Sequence, residues 1–211
     1  MSTVTRIVQQ KDQNRASVYL DRKFAFGISI DEVFKNNLKV GGELSQWKIE
    51  KLKEKSTNEK IYYRAIDFGT RRPRSEQEFK LWFRRKKIDE TLQGETLQKL
   101  TSLGLVNDLV FAKWWVEQRS AFRPMARRVL KLELLQKGID KEIIESALED
   151  EELPSEEEQI LKVAQKRWER LKNLEDKERK QKLAEFLARR GFSWDTIKDV
   201  LQKLTNGGNL E

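Results

Sequence analysis

The chain has 211 residues, of which 37% are apolar and 37% charged, and carries a formal net charge of +8. That charged share exceeds the roughly 25% of ordinary globular proteins, which favours thin packing with much surface over one spherical core. Neither cysteine nor histidine occurs, which excludes disulfides, zinc sites built on Cys or His, and every Ser-His or Cys-His catalytic pair.

At the start of the chain, residues 1–10 hold no apolar run of signal-peptide length, and no stretch reaches the 18 apolar residues of a membrane span. A soluble, cytoplasmic protein without a cofactor is expected. Residues 4–8, 17–20 and 24–28 are short, rich in β-branched and aromatic side chains, and broken by polar turns. They predict a small antiparallel sheet with Asp21-Arg22-Lys23 as a tight connection. Phe24, Phe26 and Ile28 alternate at period two, which predicts one apolar face. Ser29 is the expected cap of a short helix over 30–36, and Val40-Gly41-Gly42 punctuates before Glu43 opens a long helical stretch.

The remaining chain reads as helical. Ser56 with Glu59, Ser75 with Glu78, and Ser155 with Glu158 each have the form of a capping box. The first is expected to start a helix carrying Ile61, Tyr62, Ala65, Ile66 and Phe68, and the second one carrying Phe79, Trp82 and Phe83. A third helix carries Leu97, Leu100 and Leu103 and ends at Gly104, and Asn107 caps the next, with Val110, Phe111, Trp114 and Trp115 inward.

Within this stretch one pattern recurs. Arg72-Pro73-Arg74-Ser75 leads to Phe79, Phe83 and Lys86-Lys87-Ile88-Asp89. Arg123-Pro124-Met125-Ala126 leads to Leu130, Leu134 and Lys137-Gly138-Ile139-Asp140. A third copy gives Leu183, Leu187 and Arg190-Gly191-Phe192-Ser193. Each copy has two apolar residues four apart, then a cation, a helix stop, an apolar residue and a capping residue. Such a period marks stacked helical units. Complete units bury their faces better than truncated ones, so the phase chosen puts three-helix repeats at 57–106, 107–153 and 154–211, the last with its tail. Residues 1–42 form the β-hairpin region with its short helix, and 43–56 a connecting helix. The fold class is mainly α: three tandem three-helix repeats in an elongated, curved array behind a small N-terminal antiparallel sheet.

Charge is unevenly placed: residues 141–160 hold one basic and nine acidic groups, while the flanking stretches are basic. The run Arg71, Arg72, Arg74, Arg84, Arg85, Lys86 and Lys87 reads either as a solvated helix face or as a contact surface for phosphates or acidic side chains. Arg119, Arg123, Arg127 and Arg128 extend that candidate into the next unit. The aromatics could stack on bases, but Trp82, Phe83, Trp114 and Trp115 fall at helical spacing and read as core; Trp47 and Trp194 are less constrained. The acidic stretch Glu149-Asp150-Glu151-Glu152 with Glu156-Glu157-Glu158 reads as a solvated linker plus helix-start acids rather than a metal site. Gly207-Gly208 reads as a tail and not a phosphate loop. No catalytic or metal-binding residue is assigned.

Arg72-Pro73-Arg74-Ser75-Glu76-Gln77-Glu78, then Gly104-Leu105-Val106-Asn107-Asp108 with Phe111-Ala112, resemble the RecX family, regulators of the RecA recombinase. So do Arg119, Pro124, Leu130, Glu133, Leu134 and Lys137-Gly138-Ile139, and Phe186-Leu187-Ala188-Arg189-Arg190-Gly191-Phe192-Ser193. Tyr19-Leu20-Asp21 with Phe24-Ala25-Phe26-Gly27 is similar to the β-hairpin extension of longer members. The resemblance spans nearly the whole chain. It implies three tandem three-helix repeats and a monomer that lodges in the groove of the RecA–DNA filament. There it would suppress filament growth, ATP hydrolysis and strand exchange, with at most weaker, salt-sensitive affinity for single- or double-stranded DNA and no membrane contact. A helical module that binds DNA or RNA directly, without a recombinase, is the alternative. A carboxylate-dependent enzyme is a remote third.

Overall fold

The computed structural model describes residues 1–149 and 154–205. The chain divides into two compact units: Met1–Arg71 with Asp89–Thr96, and Arg72–Ile88 with the chain from Leu97 onward.

In the first unit, β1 (Ser2–Gln9), β2 (Arg15–Leu20), β3 (Lys23–Ser29) and β4 (Glu43–Leu44) form an antiparallel sheet in the order β3-β2-β1-β4. Asp21 and Arg22 take φ of 48° and 68°, the two left-handed positions of a type I′ hairpin turn, whose twist suits the strands it joins. Asp21 also accepts a hydrogen bond from the Thr3 amide at 3.0 Å, which ties the turn to β1 and lowers its carboxyl pKa. The alternation expected of Phe24, Phe26 and Ile28 holds for only two of the three. Val18 pairs with Phe26 but Tyr19 pairs with Phe24, so Ala25 is an extra residue in β3. This bulge turns Phe24 onto the solvent side, 60% exposed and edge-on to Tyr19, while Phe26 and Ile28 stay buried.

The helix expected to open at Glu43 starts later. Glu43 and Leu44 instead pair with Thr3 and Ser2, and Ser45 caps α2 (Gln46–Thr70) by accepting from the Lys48 amide. The helix is continuous through Ser56, so the expected capping box there is absent. The Ser56 hydroxyl is buried and donates to the Gly27 carbonyl, while Glu59 accepts from the Ser29 hydroxyl at 2.9 Å and pairs with Arg15 at 3.6 Å. A Ser-x-x-Glu pattern satisfies β2 and β3 here rather than a helix start. Ser29 stands at the head of α1 (Ile30–Lys35), but with its hydroxyl on Glu59 it makes no side-chain cap. Buried Glu32 pairs with Lys55 at 2.8 Å and locks α1 onto α2. Beneath the sheet lies a core of Val4, Val18, Leu20, Phe26, Ile28, Leu38, Ile49 and Leu52.

The second unit holds α3 (Glu76–Arg85), α5 (Asp108–Phe122), α6 (Arg127–Gln136), α7 (Lys141–Leu148), α8 (Glu156–Arg170), α9 (Asp176–Ala188) and α10 (Trp194–Thr205). Helix α4 (Glu90–Ser102) contributes its C-terminal half, with Leu100 buried. One core gathers Phe111, Val116, Leu130, Leu134, Ile139 and Ile144 from α5–α7, and another gathers Ile160, Trp168, Leu183, Leu187, Phe192 and Ile197 from α8–α10. Phe79, Phe83, Leu130, Leu134, Leu183 and Leu187, the recurring apolar pairs, are each at most 2% exposed.

The recurring pattern is a helix-ending device. After the second apolar residue of each copy, the amide of the apolar residue five further on bonds back to its carbonyl: Ile88 to Phe83, Ile139 to Leu134, Phe192 to Leu187. The stop residues Lys87, Gly138 and Gly191 bond to Arg84, Leu135 and Ala188, with φ of 53°, 78° and 86°. These are Schellman motifs, with the two apolar residues as their hydrophobic clasp. Glycine fits the left-handed stop without strain; Lys87 does not. The acidic residues 150–152 and Gly207-Gly208 lie outside the described residues.

Candidate functional site

The basic residues divide into those used within the fold and those presented to solvent. Arg72 grips Glu78 with both terminal guanidinium nitrogens, at 2.9 and 3.1 Å, and lies 5.2 Å from the Trp114 ring. Arg74 reaches the same carboxylate at 3.6 Å, and Lys137 at 2.9 Å. Glu78 is thus a hub holding α3 against the C-terminal turn of α6. Burial pushes its pKa up, but the hydrogen bonds and charges of Arg72 and Lys137 outweigh burial and hold it below the usual range. This is also why Glu78 completes no capping box: Ser75 caps α3 alone, accepting from the Glu78 amide. The reciprocal box does form at Ser155 and Glu158.

Arg119 pairs with Glu133 at 2.8 Å and stacks 4.7 Å from the Trp115 ring, on whose indole Lys137 also lies. The Trp115 indole N–H donates to the same Glu133. Arg71 ends α2 and pairs with Asp67. Sequence reasoning missed Glu78 and Glu133 as organisers, although two carboxylates amid many cations were visible signals.

Arg84, Arg85, Lys86 and Lys87 are exposed at the C-terminal end of α3, where the helix dipole favours cations. Arg123 is exposed, and Arg127 and Arg128 stand exposed in the first turn of α6, which carries no acidic residue. Cations there oppose the dipole at a cost of about 0.3–1 kcal/mol each. The Nε of Arg128 donates to the Gly191 carbonyl, which accounts for it structurally. Among the described residues, Arg127 meets a carboxylate only through its backbone amide, which donates to Glu156 at 3.4 Å.

These contacts define a joint made twice. The residues opening α3 pack on the stop turn after α6: the Ser75 hydroxyl donates to the Lys137 carbonyl, and a Cβ on Gly138 would meet Gln77 at 2.8 Å. One repeat later, the Ala126 amide donates to the Arg190 carbonyl, and a Cβ on Gly191 would meet Val129 at 2.2 Å. Ala126 itself enters the α8–α10 core. Asp108 braces the first joint by accepting from the Glu76 amide at 2.8 Å; burial and the nearby Glu76 and Asp140 charges raise its pKa. Trp82, Trp114 and Trp115 are partly buried, while Trp47 and Trp194 are largely exposed. Among the described residues no acidic cluster has metal-binding form, and no helix is long and apolar enough to cross a membrane.

Three family models match segments of the chain: the regulatory protein RecX N-terminal domain over 2–45, and the second and third three-helix domains of RecX over 107–148 and 155–201. A regulatory protein RecX of Bacillus pumilus is 32% identical over 212 residues, covering 100% of this chain and 81% of its own. One of Clostridioides difficile is 30% identical, over 98% of this chain and 97% of its own. Among solved structures, a crystal structure of regulatory protein RecX superposes with a TM-score of 0.66 at 26% identity, covering 94% of this chain and all of that one. RecX from Lactobacillus salivarius superposes at 0.57 and 28% identity, over 71% of this chain and 97% of that one.

Proposed function

We propose, because this chain belongs to the RecX family of regulatory proteins, that it is a non-enzymatic, cytoplasmic modulator of a RecA recombinase. It binds in the groove of the RecA–DNA filament as a monomer and suppresses filament growth, ATP hydrolysis and strand exchange. The observation that carries this reading is the family match, at 32% identity from end to end, on a fold with the same three-helix units. The three repeats proposed from the sequence give the protein repeated surfaces suited to a partner that itself repeats. The exposed cations Arg84, Arg85, Lys86, Lys87, Arg123 and Arg127 are the contact surface of choice. Arg72, Arg74 and Arg119 serve the joint and the α5–α6 contact first. Steering by that surface speeds encounter with an anionic filament.

The deciding measurement is RecA ATPase on single-stranded DNA with and without this protein. Dose-dependent loss of hydrolysis at substoichiometric protein supports the reading. Unchanged hydrolysis together with tight binding to naked DNA would replace it by the direct nucleic-acid module.

A further inference from the structure

A second basic feature lies elsewhere in the fold. Between the C-terminal end of α5 and the helices α8 and α9 is a cavity of about 280 Å³. Lys162, Lys166, Arg167 and Arg170 enter its wall from α8, and Arg190 from the end of α9. No carboxylate lines it, and none of these five cations makes an ion pair among the described residues. None belongs to the surface proposed above.

Among the described residues, two of the residues lining it each hold a buried polar atom without a hydrogen-bond partner, Nε of Arg167 and Oγ of Ser120, both set behind the cavity surface. A buried, unsatisfied donor costs about 1–3 kcal/mol, and folded proteins leave few such groups orphaned. The Arg167 and Arg190 guanidinium groups both lie against the Phe186 ring, at 5.3 and 4.4 Å. Arg190 is further fixed by donating to the Pro124 carbonyl at 2.7 Å. Burial, and then the charge of Arg123, lower the Arg190 pKa. Positive charge is therefore gathered, oriented and left uncompensated. At the rim, Phe122 is 81% exposed.

The geometry points to a nucleotide site: the phosphate enters the cavity, held by Arg167, Lys162 and Lys166, and the base stacks on Phe122. Fixed guanidinium donors flanked by ammonium groups suit a phosphate, which offers several acceptor oxygens at once. At the low end of the roughly 300–1,000 Å³ range of ligand sites, the cavity has room for one sugar phosphate and leaves the base outside, where the exposed ring stands. Stacking on an aromatic ring is indifferent to base identity. The same chemistry is offered by a free nucleotide and by one residue of a single strand.

The test is calorimetric titration of the full chain with inorganic phosphate, thymidine 5′-monophosphate and a short oligothymidylate. The variants are Lys162→Gln with Lys166→Gln, both exposed on α8, and Phe122→Ala. The double variant is expected to weaken all three ligands by roughly tenfold or more. Phe122→Ala is expected to weaken the nucleotide and the oligomer while sparing inorganic phosphate. An oligomer that binds more tightly than the nucleotide with the same dependence on both variants identifies a strand as the source; equal affinities identify the free nucleotide. No binding of any ligand by the wild type, wild-type binding by the lysine variant, or nucleotide binding indifferent to Phe122 overturns the assignment.

Discussion

Lys87 is the residue at which the repeat departs from itself. Its φ of 53° is one that a side chain bearing a Cβ adopts at a cost of about 1–2 kcal/mol, and the two later copies place glycine there. Lys87→Gly should therefore stabilise the protein by about 0.5–1 kcal/mol, after the greater entropy of an unfolded glycine is offset, and raise Tm by a few degrees in a thermal melt. Glu78 is the opposite case, a residue whose removal strands its partners. Glu78→Gln should cost about 1–3 kcal/mol at neutral pH, because Arg72, Arg74 and Lys137 lose the charge that compensates them. Its folded pKa is depressed, so its contribution is complete above the unfolded value of about 4.3 and is lost as pH falls through the lower folded value. Urea melts of wild type and variant should accordingly converge on acidification below about pH 4. A gap that stays constant with pH would show that Glu78 contributes shape rather than charge.

Among elements, glycines with similar backbone angles should respond unequally. Gly104 has φ of 71° and nothing within 4 Å of a would-be Cβ, so Gly104→Ala should cost only the backbone strain of about 1 kcal/mol. Gly191→Ala carries that strain and drives a methyl to 2.2 Å from Val129, so its cost should exceed that of Gly104→Ala by at least about 1 kcal/mol, measured by denaturant unfolding. The helix stops were legible in the sequence because a Schellman motif is local: its clasp, stop and cap lie within a few residues. Ser155–Glu158 was legible for the same reason. Ser56–Glu59 misled because its partners, Gly27 and Arg15, are distant in the chain and claim the side chains first; Ser75 caps α3 as expected, and only the Glu78 half of that box is lost, to nearby Arg72 and distant Lys137. The bulge at Ala25 and the two-residue strand β4 were invisible for a related reason. Both are set by cross-strand register, which periodicity within one segment does not encode. At the candidate site, charge was legible but availability was not: nothing local distinguishes Arg84, which is exposed, from Arg72, which is gripped by Glu78 and packed on Trp114.

For the molecule as a whole, the exposed cations should separate regulation from stability. Arg84, Arg85, Lys86 and Arg127 changed together to Gln should leave the melt nearly unchanged and abolish most inhibition of the recombinase; Arg128 is spared because it holds the Gly191 carbonyl. Full inhibition by that folded variant would move the contact to another face. A salt titration then separates two partners: inhibition of a preformed filament should persist where naked-DNA binding has been lost, and parallel loss would favour direct binding to nucleic acid. The twice-made joint carries one more consequence. A head-to-tail contact that does not close on itself can be extended without limit, one copy adding to the next as in a fibre. The turn at residue 87 has the same hydrogen bonds as the two turns that already receive a neighbour, so it is the natural growth point for such a chain of molecules. A lysine there sets a Cβ and a charge where each internal joint leaves only a glycine hydrogen; at those joints a Cβ would come within 2.2–2.8 Å of the incoming side chain. Lys87→Gly is therefore expected to self-associate in sedimentation velocity where the wild type does not, and an unchanged sedimentation profile would show that the lysine has no part in ending the array.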